Sequence, residues 1–258
     1  MSVGIGVITY NRQWKLAECL TCLRRETTEP YDLIVADDGS TDGTLDYLRD
    51  EQVSVVTGQN RGIAWNKNRA LFTLAERKHE VILLFEDDCF VREGSWFPFW
   101  VNIVRQWGHV NYAGPWWPQG LIVRGEGTVD NPFFCTATTA QISGFRSDVV
   151  ATVGYYDTRF RRFGHEHTEH STRVIRAGFG GNQRLVDGNR RYDFICANHG
   201  LACTCDASFE DKASVIANAE LLARLAHEPV YRDPWRTDYE RTSLLGEVAA
   251  ITRYEPRD

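Results

Sequence analysis

The chain of 258 residues reads as an α/β fold, a mostly parallel sheet with flanking helices. Two observations predict it. Apolar runs and helical-period segments alternate as strand, helix, strand, helix, strand, helix, strand up to Phe85, and such alternation builds a parallel sheet covered by helices. The last of these strands, Val81-Ile82-Leu83-Leu84-Phe85, is continuously apolar, as a strand buried on both faces must be. It runs directly into three acids, Glu86, Asp87 and Asp88. Open parallel sheets bind their ligands just past the carboxyl ends of the strands. Three adjacent carboxylates repel one another unless a cation or donor neutralises them, and Mg2+ or Mn2+ favours carboxylate and phosphate oxygens. The stretch therefore reads either as a metal-bridged diphosphate site or as a solvated acidic turn.

The elements follow in order. Residues 3–9 form a short buried strand ending in Thr9-Tyr10-Asn11-Arg12. A helix runs to about Arg25, its apolar stripe carrying Leu16, Cys19, Leu20 and Leu23. Asp32 to Ala36 is the second strand, stopped by Asp37-Asp38-Gly39-Ser40, whose turn and cap residues open a helix through Leu48. Val53 to Val56 is the third strand. Asn60-Arg61-Gly62 turns into a helix from Ile63 to Glu76, and the apolar strand at 81–85 follows. All four polar clusters, Thr9/Tyr10, Asp37/Asp38, Asn60/Arg61 and Glu86 to Asp88, thus fall on one sheet edge. Neither GxGxxG nor GxxxxGK[ST] occurs, so a nucleotide here would be held by other means.

Composition narrows the class. With 43% hydrophobic and 25% charged residues the chain can bury a sizeable core as one large domain or a domain with an appendage. A net charge of −6 gives no general attraction to nucleic acid or anionic membrane, while leaving room for a local basic patch. No apolar run approaches a membrane span and no signal peptide is recognised. Seven cysteines, an odd number, point to reduced thiols and a cytoplasmic location. Cys19 and Cys22 form a CxxC, but the apolar stripe makes core packing the better reading than zinc.

The motifs in series, Ile8-Thr9-Tyr10-Asn11-Arg12, Val35-Ala36-Asp37-Asp38-Gly39-Ser40, Asn60-Arg61-Gly62 with Lys67-Asn68, and Phe85-Glu86-Asp87-Asp88, resemble the nucleotide-sugar half of family 2 glycosyltransferases, which have the GT-A fold. The resemblance covers about the first hundred residues. It implies that Thr9, Tyr10, Arg12 and Asp38 flank the nucleobase, and that Arg61 and Lys67 take part in donor binding. It further implies that Asp87 and Asp88, at the DxD position, serve ribose, diphosphate and a Mn2+ or Mg2+ ion. Glu86 stands where an aspartate is usual, and its longer arm still reaches a cation.

The remainder reads as an acceptor half. A helix over 93–107 carries Trp96, Trp100 and Trp107. Trp116 and Trp117, in the loop Gly114 to Pro118, either stack on the acceptor or cap the core. Ile142 to Arg146 with Val153 to Asp157 resembles the segment under the transferred sugar. His165-Glu166-His167-Thr168-Glu169-His170 holds three histidines and two glutamates, yet it misses both HExxH and HxxEH, which argues against a zinc hydrolase. It resembles the Gly-Glu-Asp-x-Asp-x-x-x-Arg motif that opens a helix in these transferases, with His167 in place of the catalytic aspartate. The base is then His167, whose imidazole titrates near neutrality, or Glu166; inversion is favoured over retention. On a helix Glu166, Glu169, His170 and Arg173 share one face. His199 falls where related enzymes complete the metal site with a histidine, or it is structural.

The expected organisation is a GT-A domain at 1–205, with a nucleotide-sugar half at 1–107 and an acceptor half at 108–205. A helical C-terminal extension at 206–258 has helices near 213–225 and 242–252. The expected activity is metal-dependent transfer from a nucleoside-diphosphate sugar, UDP-linked on the resemblance, to a hydroxyl acceptor. A catalytically silent sugar-nucleotide binder and a sugar-phosphate nucleotidyltransferase are the alternatives, the latter lacking its usual glycine-rich loop.

Overall fold

The computed structural model describes residues 2–114, 120–139, 141–204 and 211–252. Four parallel strands form one half of the main sheet: β1 (Val3–Thr9), β2 (Asp32–Asp37), β3 (Val55–Thr57) and β4 (Val81–Glu86), in the order β3-β2-β1-β4. Every residue of β1 is buried, and β4 is buried up to Phe85, as continuous apolar runs require when helices cover both faces. Register fixes the edge. Thr9 pairs with Asp37, and Ile8 pairs with Glu86, so the polar ends of these strands emerge side by side.

The sheet continues beyond β4 through β9 (Ile142–Arg146), β6 (His109–Tyr112), β11 (Asn189–Ala197), β8 (Phe133–Cys135) and β7 (Ile122–Arg124). Strand β9 is antiparallel to both of its neighbours, whereas β6 and β11 run parallel to each other. Strand β10 (Gly181–Val186) forms a hairpin with β11. A separate two-stranded ladder joins β5 (Cys89–Val91), just past the acidic triplet, to β12 (Leu201–Cys203).

Helices α1 (Gln13–Glu26), α2 (Thr44–Asp50), α3 (Ile63–Glu76), α4 (Trp96–Trp107), α5 (Ser147–Val153), α6 (Glu166–Arg176), α7 (Lys212–Leu225) and α8 (Asp238–Ala249) complete the described chain. Cys19 and Cys22 on α1 are buried among Leu16, Leu20 and Leu23 in the core on one face of the sheet. On the other face, α3 is buried at eleven successive positions, Ala64 to Leu74, because α8 covers its outer side. Leu225 and Leu244 join the same core as Ile34, Leu71 and Phe145. The sheet and α4 meet closely at Gly144, where an added Cβ would lie 2.3 Å from Val104. No helix of the described residues is long and apolar enough to cross a membrane.

Element edges differ by one to four residues from the sequence expectation. The last helix begins at Asp238 rather than Thr242, since Thr237 caps it by accepting from the Glu240 N–H. Trp116, Trp117, Cys205 and the expected 205/206 boundary lie outside the described residues.

Candidate functional site

Five of the residues singled out from the sequence meet in one pocket. Thr9, Tyr10, Arg12, Asp38 and Glu86 line a cavity of about 170 Å3 at the strand ends, together with Asn60, Gly62, Asn66 and Arg162. Parallel register delivers them, because four strands end at the same height. Tyr10 is 45% exposed and offers its ring to the cavity rim. Gly62 is required at the junction to α3: its φ is +91°, and a Cβ would lie 2.9 Å from the Arg162 backbone nitrogen.

Asp38 is fastened from three sides. Its carboxylate accepts from the Arg61 N–H at 3.0 Å, the Gly62 N–H at 2.8 Å and the buried Arg69 guanidinium at 2.7 Å. Arg69 also reaches Glu247 of α8 at 2.9 Å. The neighbouring Asp37 closes its own turn, accepting from Gly39, Ser40 and Thr57. These rigid turns hold the pocket floor.

The acidic triplet divides into three roles. Asp87 is fully buried, accepts from Thr9 Oγ1 at 2.7 Å and pairs with Arg12 at 2.6 Å. Burial pushes its carboxyl up to about 7 against the pull of Arg12 and Thr9. Asp88 keeps one looser contact to Arg12, at 3.4 Å. Burial and then the charge of Glu86 push its carboxyl up to about 6, against the pull of Arg12 and Lys15. Glu86 Oε1 lies 3.1 Å from Lys67 Nζ without an aligned hydrogen bond.

Lys67 joins this triplet to α6. It is 1% exposed, and its ammonium stands 3.1 Å from both Glu86 and Glu166 and 5.6 Å from the Tyr156 ring centre. Burial would lower its pKa, but the two glutamates raise it well above the ordinary lysine value. Lys67 is thus a buried ammonium held between two carboxylates rather than a residue of the pocket lining. Glu166 is likewise buried. Desolvation alone would raise its carboxyl, yet Lys67 and His167 hold it far below the usual range.

His167, at the start of α6, is partly exposed. Its Nδ1 lies 3.3 Å from Glu166 Oε1 and its Nε2 3.2 Å from the Thr138 carbonyl oxygen. Both partners are acceptors. The expected common face of Glu166, Glu169, His170 and Arg173 is the buried face of the helix, and Arg173 pairs with Glu169 at 2.8 Å.

Two further candidates make their side-chain contacts away from the pocket lining. Arg61 turns its guanidinium to α8, stacking 4.4 Å over Trp65 and donating to Ser243 at 3.1 Å; its backbone N–H, on Asp38, is what supports the pocket. His199 lies in the turn that leads into β12, closed by the Leu201 N–H on the Asn198 carbonyl. There it stacks on Phe99 and contacts Ser95 at 3.0 Å. The sequence reading missed Arg162, Arg69 and Asn66. The i,i+3 spacing of Asn66 and Arg69 on one helix was the available signal for Arg69; Arg162 left none.

Among the described residues no three His, Cys, Asp or Glu side chains converge as a ligand cage. Mg2+ or Mn2+ is commonly held by one or two carboxylates together with substrate phosphates, and Asp88 with Glu86 nearby offers two carboxylates.

With this geometry in view, residues 5–118 match the family model described as Glycosyl transferase family 2. The resemblance is to family 2 glycosyltransferases. A 93-residue stretch is 34% identical to an uncharacterized glycosyltransferase, YfnE, of Bacillus subtilis (strain 168), covering 34% of this chain and 23% of that protein. Among solved structures, the mannosyltransferase PcManGT of Pyrobaculum calidifontis, in complex with GDP-Man and Mn2+, superposes with a TM-score of 0.54 at 20% identity, covering 69% of this chain and 52% of that one. GalNAc-T7 with UDP, GalNAc and Mn2+ gives 0.61 at 14% identity, covering 87% and 48%. TarS 1-349 of S. aureus in complex with UDP gives 0.51 at 16% identity, covering 77% and 61%. The fold is GT-A. The chain spans about a quarter of the Bacillus protein and about half of the length of the first two structures.

Proposed function

We propose that the protein is a metal-dependent glycosyltransferase that moves a sugar from a nucleoside-diphosphate sugar, a UDP-sugar in the first instance, to a hydroxyl acceptor with inversion. The observation that carries the reading is the convergence of Thr9, Tyr10, Arg12, Asp38 and Glu86 on one pocket at the strand ends, inside the segment that matches the family. Structures of the same fold that hold GDP-Man or UDP together with Mn2+ support the donor class.

Each residue then has a task. Tyr10 and the Asp38 turn flank the base. Arg12 neutralises Asp87 and Asp88 and stands ready to meet a phosphate. Asp88, with Glu86, would hold Mn2+ or Mg2+, which when bound stabilises the diphosphate leaving group. Lys67 fixes Glu86 and Glu166 relative to each other, linking the donor edge to α6. His167 is the better base of the two candidates: Glu166 is buried and held ionised by Lys67, which makes it a weak proton acceptor. To act, His167 releases its contact with Thr138 and takes the acceptor hydroxyl's proton on the freed ring nitrogen, so base and acceptor binding are coupled. A cytoplasmic location is part of the proposal, on the odd cysteine count.

The two acceptor contacts of His167 also favour a second reading, a sugar-nucleotide binder without turnover. The experiment is nucleotide release from UDP-sugars with Mn2+ and a panel of hydroxyl acceptors. Release by the wild type and its loss in Asp88→Ala support the transferase. Nucleotide binding without release from any donor supports the silent binder, and release unaffected by Asp88→Ala removes the metal-site assignment.

A further inference from the structure

A second and larger cavity, about 610 Å3, opens between α6, α7 and the β10–β11 hairpin. Among the described residues, five arginines, Arg173, Arg176, Arg184, Arg190 and Arg191, line it against a single carboxylate, Glu169. So concentrated a positive charge is unexpected in a chain of net charge −6. A larger cavity is ordinarily the default binding site, yet this one contains none of the strand-end motifs, so it takes a different ligand from the donor.

Three of the arginines already have partners: Arg173 pairs with Glu169, Arg176 donates to the Glu228 carbonyl at 2.8 Å and Arg184 pairs with Asp193 at 2.7 Å. Arg190 and Arg191 are exposed and face no acidic partner among the described residues. Moreover, Arg184 and Arg191 stand directly opposite each other in the β10–β11 ladder. Like charges at opposed positions destabilise a strand pair, and an anion between them reverses that cost. Guanidinium forks match phosphate and carboxylate oxygens in a bidentate manner.

The cavity also adjoins the candidate base. Thr168 and Thr136 line one end of it; they stand one and two residues from His167 and Thr138, which touch at 3.2 Å. Thr168, Thr172 and Arg176 continue along α6 at helical spacing, so one helix carries His167 at its start and the basic wall along its length.

We propose that this groove binds the oxyanions of an acceptor that carries several phosphate or carboxylate groups on a sugar chain, directing its hydroxyl toward His167. The acceptor role rests on the transferase reading; anion binding by the groove does not. The test is calorimetric titration of the whole protein with inorganic tripolyphosphate and with trigalacturonate, in low and high NaCl, beside titration with UDP and Mn2+. The wild type should bind at least one of the two probes, less tightly in high salt, and the one bound identifies the oxyanion. Arg190→Ala/Arg191→Ala, altered only on an exposed hairpin, should weaken that binding at least tenfold while leaving UDP–Mn2+ affinity within twofold. Absence of binding by both probes, or equal binding by wild type and variant, overturns the proposal. Probe binding that depends on the two arginines in a protein that fails to bind any nucleotide would retain the anion groove and overturn its acceptor role.

Discussion

At the scale of single residues, the site works by neutralising charge that burial would otherwise forbid. Glu86, Lys67 and Glu166 form a chain of two carboxylates around one ammonium, all nearly inaccessible. Removing one member of such a set leaves an uncompensated buried charge, so Glu166 serves the fold as well as the site. His167 is partly exposed, and Glu166 keeps Lys67 as its nearer partner without it. His167→Ala should lower turnover at least tenfold with donor affinity unchanged, measured as kcat against the donor KM; full activity in this variant would pass the base to Glu166. His109 gives a prediction on pH. It is fully buried, with Nδ1 2.8 Å from the Gly144 carbonyl and Nε2 2.8 Å from Ser171 Oγ. Burial lowers it to about 4 despite the Gly144 contact. Between pH 6.5 and 4 the unfolded chain therefore binds a proton that the native protein does not, and stability falls as pH falls through that window. Melting temperatures across it should drop less steeply in His109→Gln than in the wild type, and equal slopes would contradict the assignment. The motif residues on the donor side were legible because each stands at a strand end. The buried role of Lys67 was not, since a lysine beside Asn68 in sequence says nothing of the two glutamates, 19 and 99 positions away, that enclose it.

At the scale of elements, the strands of the first half were readable from apolar runs, and their parallel register follows from helices between them. The antiparallel insertion of β9 and the β10–β11 hairpin were not, because Ser143 and Gly144 break the apolar run and the hairpin strands are exposed. The placement of α8 was also hidden. Its amphipathic signal is weak, yet Leu244 is fully buried, Glu247 receives Trp65 and Arg69, and Arg61 stacks between Trp65 and Tyr239. We therefore propose that the segment beyond 211 is integral to the donor half rather than an appendage. Leu244→Ala should cost about 2–5 kcal/mol, as other core truncations do, and also weaken nucleotide binding, because the Arg69–Asp38 clamp loses its backing. Chemical denaturation of the variant checks the first effect, and a loss below 1 kcal/mol would make α8 an accessory.

At the scale of the whole molecule, two cavities share no lining residue: the proposed donor pocket at the strand ends, and the arginine groove between α6, α7 and the β10–β11 hairpin. The acidic net charge concealed the second, since a sum over the chain has no spatial information. The central claim is the donor pocket. Its most direct test is the shift in melting temperature with UDP, GDP, CDP and dTDP, each with and without Mn2+, because a ligand bound only by the native state stabilises it according to its affinity. The account predicts a stabilisation by one nucleotide, UDP foremost, that requires Mn2+ and disappears in Asp88→Ala. Absence of a shift with all four, with and without the metal, would contradict it.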